Sequence, residues 1–230
     1  MHILLFDIDG TLINTRGSGL TALKMAFTEV FARPAPAKID AAGRTDRGIA
    51  RDLFLGHAIE DTADHWRDFE TAYLRHLATQ LPLRDGIVLP GVVDLLQQLT
   101  NRDDVVVGLL TGNTPAGARL KLEHFEIDYY FAFGGFGDRH PQRNGVARDA
   151  LAAAQAHLRQ PIAPKQVWVI GDTPMDIHCA RHLGANAVAV ATGQHTREDL
   201  AREKPDLLLE DLGQAASLLE CLNGPFRFIV

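Results

Sequence analysis

Ile3-Leu4-Leu5-Phe6-Asp7-Ile8-Asp9-Gly10-Thr11 is the stretch that decides the fold of this chain. A short apolar run closed by Gly-Thr predicts a core strand breaking into a loop. Parallel sheets gather ligands just beyond the carboxyl ends of their strands. Side chains alternate along a strand, so Asp7 and Asp9 are expected to point the same way. Two neighbouring carboxylates repel unless a cation, a shared proton or bulk water lies between them. A bound Mg²⁺ would satisfy both, although an acidic pair in a loop is equally a solvated turn.

Further runs rich in Val, Ile and Leu recur at Val105 to Leu110, Val167 to Ile170, Ala187 to Ala191 and Leu207 to Leu209, with helix-like segments between them. That alternation predicts an α/β protein with a parallel sheet. Tyr129 to Phe133, ending in Gly134-Gly135, is a shorter candidate strand. Between Asn14 and about Arg84 the strand pattern disappears. Apolar residues there fall at helical spacing, as Leu20, Leu23, Phe27, Val30 and Phe31, then Trp66, Phe69, Tyr73, Leu74 and Leu77. Pro90-Gly91 announces the return, with a helix over Val92 to Leu99. The expected organisation is an α/β core of residues 1–14 and 86–230, with a helical insertion over 15–85.

The 230 residues carry a net charge of −6, which argues against nucleic acid as a partner because phosphate backbones demand clustered Lys and Arg. No apolar stretch approaches the roughly 20 residues of a membrane span. Met1 to Phe6 lacks the basic flank and length of a signal peptide, so a cytoplasmic protein is expected. Monomer and homodimer both stand open as its expected state. Cys179 and Cys221 have no metal-ligand spacing and read as buried or idle thiols.

Other strand ends also carry chemistry. Thr111-Gly112-Asn113 offers a hydroxyl, an unhindered N–H and an amide, all able to bond phosphoryl oxygens, while also suiting a plain N-cap before Pro115. Gly171-Asp172-Thr173-Pro174-Met175-Asp176 places two carboxylates around a sharp turn, and hard oxygens of that kind suit Mg²⁺. His178 and His182 stand four apart on the helix that follows and read as surface or packing residues.

Asp7-Ile8-Asp9-Gly10-Thr11, Thr111 and Gly171 through Asp176, in this order, resemble the haloacid dehalogenase-like superfamily along essentially the whole chain. The resemblance implies a Rossmann-like parallel sheet with an inserted α-helical cap, as in the phosphoglycolate-phosphatase-like branch. It further implies a Mg²⁺-dependent phosphatase acting on a small-molecule phosphoester. Asp7 would be the nucleophile and Asp9 the general acid and base. Asp7, the Asp9 backbone carbonyl and Asp172 would hold Mg²⁺, with Thr173 and Asp176 supporting it indirectly. Thr111, Gly112, Asn113 and a cation would bind the phosphoryl oxygens.

The family's cation is usually a Lys before Pro, and none stands at that place. Arg143 is assigned the role, with Arg139 and Lys165 as competitors. Gly43-Arg44-Thr45-Asp46 is similar to the loop through which such caps reach the site, which makes Arg44 and Thr45 substrate-binding candidates. Arg16, Arg44, Arg47 and Arg51 form a basic cluster able to pair with a substrate carboxylate or to face solvent.

Alternatives on the same fold are a phosphomutase and a non-catalytic phosphate-binding member. Asp9 disfavours a dehalogenase, which has no use for an acid there. The cap lysines Lys24 and Lys38 give no support to a phosphonate hydrolase.

Overall fold

The computed structural model of the chain describes residues 1–223. Strand β1 (His2–Phe6) leads through a loop to β2 (Ile13–Asn14), then to helices α1 (Ser18–Phe31), α2 (Asp46–Gly56) and α3 (Ala63–Gln80), and the chain returns through β3 (Ile87–Val88). Alternation follows, with α4 (Val92–Thr100), β4 (Val105–Leu110), α5 (Pro115–His124), β5 (Gly134–Gly135), α6 (Arg143–Leu158), β6 (Val167–Gly171), α7 (Pro174–Leu183) and β7 (Asn186–Val190). Helix α8 (Arg197–Arg202), β8 (Leu207–Leu209) and α9 (Ala216–Asn223) complete the described residues.

Six parallel strands form one sheet in the order β5-β4-β1-β6-β7-β8. β1 is apolar on both sides because both faces of the sheet are covered. Leu4 and Phe6 pack with Val107, Leu109, Trp168 and Ile170 on one face. Ile3 and Leu5 pack with Val167, Val169 and residues of α6 and α7 on the other. Strand order reverses at β1, whose neighbours are β4 and β6, and crevices for ligands open at such reversals. Asp7 follows β1 with the parity of Ile3 and Leu5, toward the face that α6 and α7 cover.

The expected strand over Tyr129 to Phe133 is corrected. Asp128–Tyr130 forms a 3₁₀ turn, and only Gly134 and Gly135 pair, with Leu109 and Leu110 of β4. The aromatic residues read as β-formers, but Tyr130 and Phe131 instead pack their rings onto the core from outside the ladder.

The insertion leaves and returns at one place, since Ile13 pairs with Val88 and Asn14 with Ile87 in an antiparallel ribbon. Its helices bury a separate cluster that includes Ala22, Phe27, Phe54, Phe69, Tyr73 and Leu77. Helix α2 adds Ile49, Leu53 and Phe54 to that cluster.

Candidate active site

The β1 ladder runs one residue past Phe6, where the Asp7 N–H donates to Ile170 O at 2.9 Å. The chain then folds on itself, with Ile8 O accepting from the N–H groups of Thr11, Leu12 and Ile13. Gly10 makes this turn at φ +83°, where a side chain would be strained and a Cβ would overlap the Asp172 carboxylate. The turn separates the two carboxylates expected to share one cation. Asp7 stays buried against α6 and α7, whereas Asp9 emerges toward the helical insertion.

Arg143, in the first turn of α6, is buried beside Asp7. Its Nη2 lies 2.9 Å from Asp7 Oδ1 and 2.6 Å from Asp176 Oδ1, and donates to Leu110 O at 3.3 Å. Arg139 is exposed next to Asp138, and Lys165 is exposed just ahead of β6, at the opposite end of the sheet. Asp176 Oδ2 accepts from the Thr173 N–H at 3.1 Å and from the Thr173 hydroxyl at 2.7 Å, closing the N-terminus of α7. The Thr11 hydroxyl donates to Asp172 Oδ1 at 3.2 Å. Burial pushes Asp7 up to about 6 against the pull of Arg143, with Asp176 and Asp9 adding to the rise. Burial raises Asp172 as well, reinforced by Asp7 and Asp176. Burial also pushes the Cys179 thiol up to about 12, so it stays protonated.

Ligand oxygens of Asp7, Asp172 and Asp176 lie within 4.8 Å of one another. With all three ionised, the carboxylates around one guanidinium would carry two excess negative charges, which a divalent cation would neutralise. Asp176 spends its oxygens on Arg143 and Thr173, whereas among the described residues the side-chain partners are Arg143 alone for Asp7 and Thr11 alone for Asp172. The residues therefore fit Mg²⁺, which the Asp7 and Asp172 side chains could hold.

Asp9 is served by a residue that sequence reasoning misses. Lys121, on α5, reaches Asp9 Oδ2 at 2.5 Å and Asn113 Oδ1 at 2.6 Å. Asn113 Nδ2 donates to the same Asp9 oxygen at 2.8 Å and to Thr111 Oγ1 at 2.8 Å. The available signal is position, because Lys121 falls on the helix face of Gly117, Ala118 and Leu122, which is otherwise apolar and buried.

The Gly43-to-Asp46 loop lies against the core. The Asp46 N–H donates to Gly112 O at 2.7 Å and the Arg47 N–H to Gly137 O at 3.1 Å, so two N–H groups that a helix start leaves unpaired are satisfied by core loops. The Asp46 carboxylate accepts from the Thr114 N–H at 2.9 Å, and burial pushes it up to about 6 in spite of Lys121. At Gly112 a Cβ would overlap the Arg44 carbonyl, so glycine lets the two loops touch. The Thr45 hydroxyl caps α2 by accepting from the Gly48 N–H at 3.0 Å. Arg44 pairs with Asp52 and Arg47 with Asp61, both at 2.6 Å, while Arg16 and Arg51 are exposed. The basic residues of the insertion are thus individually partnered or dispersed. His178 and His182 are exposed on α7, beside Glu203 and Arg148 respectively. The Thr192 hydroxyl donates to Gly10 O at 2.6 Å, which brings the loop after β7 to the same rim.

Buried acidic oxygens with a guanidinium at the switch point of a parallel sheet, faced by a docked helical insertion, suit the binding and transfer of a phosphoryl group. Residues 1–184 match the model of the haloacid dehalogenase-like hydrolases, and the chain belongs to that family. It is 28% identical over its full length to phosphoglycolate phosphatase 1 of Pseudomonas aeruginosa, of which it covers 82%. It is also 28% identical to a phosphoglycolate phosphatase of Synechococcus elongatus, over 95% of this chain and 99% of the relative. Among solved structures, CbbY from Rhodobacter sphaeroides in complex with phosphate shares the fold, with a TM-score of 0.73 and 17% identity over 94% of this chain and 96% of that one.

Proposed function

We propose that this chain is a Mg²⁺-dependent phosphatase that hydrolyses a small-molecule phosphomonoester through an aspartyl-phosphate on Asp7. The observation that carries this reading is the buried Asp7, tied to Arg143 at 2.9 Å and clustered with Asp172 and Asp176. The half-exposed Asp9 stands two residues away.

In the first step an Asp7 oxygen attacks phosphorus as the bond to the leaving oxygen breaks, and Asp9 gives that oxygen its proton. In the second, Asp9 takes a proton from water, which attacks the aspartyl-phosphate and frees Asp7 and inorganic phosphate. Arg143 orients Asp7 and offsets charge building on the phosphoryl oxygens. The Thr111 hydroxyl and the Gly112 N–H bind those oxygens, and Asn113 acts on them through Thr111. Thr173 and Asp176 hold Arg143 in place. The loop from Arg44 to Asp46 covers the site and excludes water. Bound Mg²⁺, on Asp7 and Asp172, would supply positive charge that lets the phosphate dianion approach the nucleophile.

The names of the two relatives make 2-phosphoglycolate the first substrate to try. The test is phosphate release from 2-phosphoglycolate, sugar phosphates, nucleotides and p-nitrophenyl phosphate, with Mg²⁺, with EDTA, and in Asp7→Asn. Mg²⁺-dependent release of inorganic phosphate that Asp7→Asn abolishes supports the reading. An isomerised phosphate product, or no turnover across the panel, refutes it. The two free thiols fit the proposed cytoplasmic setting, and no described helix is long and apolar enough to cross a membrane.

A further inference from the structure

A buried ammonium is costly unless it is paired, and Lys121 is 4% exposed. Its two acceptors, Asp9 Oδ2 at 2.5 Å and Asn113 Oδ1 at 2.6 Å, both belong to the catalytic rim. The Asp9 side chain is 42% exposed, so the ion pair has one dry member and one open to solvent. Both donors on Asp9, Lys121 Nζ and Asn113 Nδ2, reach the same oxygen, Oδ2. Among the described residues no side chain is bonded to Oδ1. Asn113 in turn is tied to Thr111 Oγ1, so the chain Thr111–Asn113–Asp9 is braced by Lys121 at its far end.

We propose that Lys121 is a positioning residue for Asp9: together with Asn113 it clamps Oδ2, so that Oδ1 is the oxygen presented to the leaving group. The inference rests on the phosphatase reading, in which Asp9 moves the proton. A carboxylate held by one oxygen through two donors loses the rotation about its Cβ–Cγ bond that would carry the reactive oxygen out of line. Proton transfer demands a heavy-atom separation of about 2.6–3.2 Å, so orientation decides its rate. Lys121 comes from the core helix α5, while its Nζ lies beside Gly19 of α1, where a Cβ would stand 3.4 Å away. The insertion therefore walls the ammonium off from water without supplying its acceptors.

The alternative is that Lys121 merely cements the insertion to the core. The two roles separate by the leaving group. An alkoxide needs protonation as it departs, whereas p-nitrophenolate leaves without it. The experiment compares kcat/KM for p-nitrophenyl phosphate and for the alkyl phosphomonoester that the wild type hydrolyses fastest, in wild type, Lys121→Met and Lys121→Gln. The ratio of the two esters within one preparation does not depend on the fraction of enzyme folded. Positioning predicts that the alkyl ester loses about 100-fold or more, the scale of general acid catalysis, and p-nitrophenyl phosphate less than about 5-fold. Equal losses on both esters, or no loss on either, overturn the proposal. A wild type that hydrolyses neither ester overturns the phosphatase reading itself, and that is seen before any variant is compared.

Discussion

Arg143→Met leaves the shape of a long side chain but removes the guanidinium that lies 2.9 Å from Asp7 and 2.6 Å from Asp176. Breaking one side of a buried ion pair costs about 3–5 kcal/mol, because the remaining charges stay buried without a partner. For a chain of this size each kcal/mol lowers Tm by roughly 2–4 °C, so a fall of about 6–20 °C is expected. The loss has a defined pH dependence. Burial raises both Asp7 and Asp172 in the folded protein, so their contribution to stability is present at low pH and lost as pH rises, through about 6 for Asp7. Arg143 is what opposes that rise, so its removal must cost more at pH 8 than at pH 5. Thermal unfolding of both proteins at the two pH values measures this, and phosphate release should fall at least about 10-fold in parallel. A Tm within about 2 °C of wild type at pH 8, with near-normal turnover, would refute the reasoning. It would pass the cationic role to Lys121, since Arg139 and Lys165 are both exposed.

Two further substitutions probe the rim. Asp46→Asn keeps an acceptor for the Thr114 N–H and removes a buried carboxylate raised from 3.8 to about 6. Such a group favours folding below its unfolded pKa and ceases to as pH rises through the folded one, a difference of about 3 kcal/mol. Asp46→Asn should therefore raise Tm by several degrees at pH 7.5 and not at pH 4, and equal melting at pH 7.5 would contradict the assigned burial penalty. At Gly193 a Cβ would overlap the Asp172 carboxylate. Gly193→Ala should lose more than about 10-fold in activity and the Mg²⁺-induced rise in Tm expected of wild type, which melting curves with and without MgCl₂ would detect.

What could be read from the sequence was whatever repeats with a structural period. β1, β4, β6 and β8 are continuous apolar runs because both sheet faces are covered, and the strands appear within a residue of their expected bounds. The residues at their ends follow from parallel topology alone. Tyr129 to Phe133 misled because aromatic residues that pack on a core edge look like a strand when pairing cannot be seen. Lys121 was invisible for a different reason. A lysine among apolar neighbours on one helix face signals a buried charge, but its partner is 112 residues away in sequence, and only the fold brings Asp9 to it. Asp46 was hidden in the same way, as an ordinary acid at a helix start whose acceptor role toward Thr114 exists only when the insertion is docked.

Two carboxylates separated by a single residue end up with different partners because β1 stops between them. Asp7 still obeys strand parity and drops into the layer of α6 and α7, where Arg143 and Asp176 await it. The turn on Ile8 and the left-handed Gly10 then carry Asp9 out of the ladder and toward α5. Each carboxylate meets its own cation, Asp7 with Arg143 and Asp9 with Lys121. In the mechanism proposed above the division matters, because there the nucleophile must be held still as a bare anion, while the acid must be able to exchange a proton with the leaving group and with water. A single shared cation would tie those two demands together. Ending the strand at Asp7 and turning at Gly10 uncouples them within five residues of sequence.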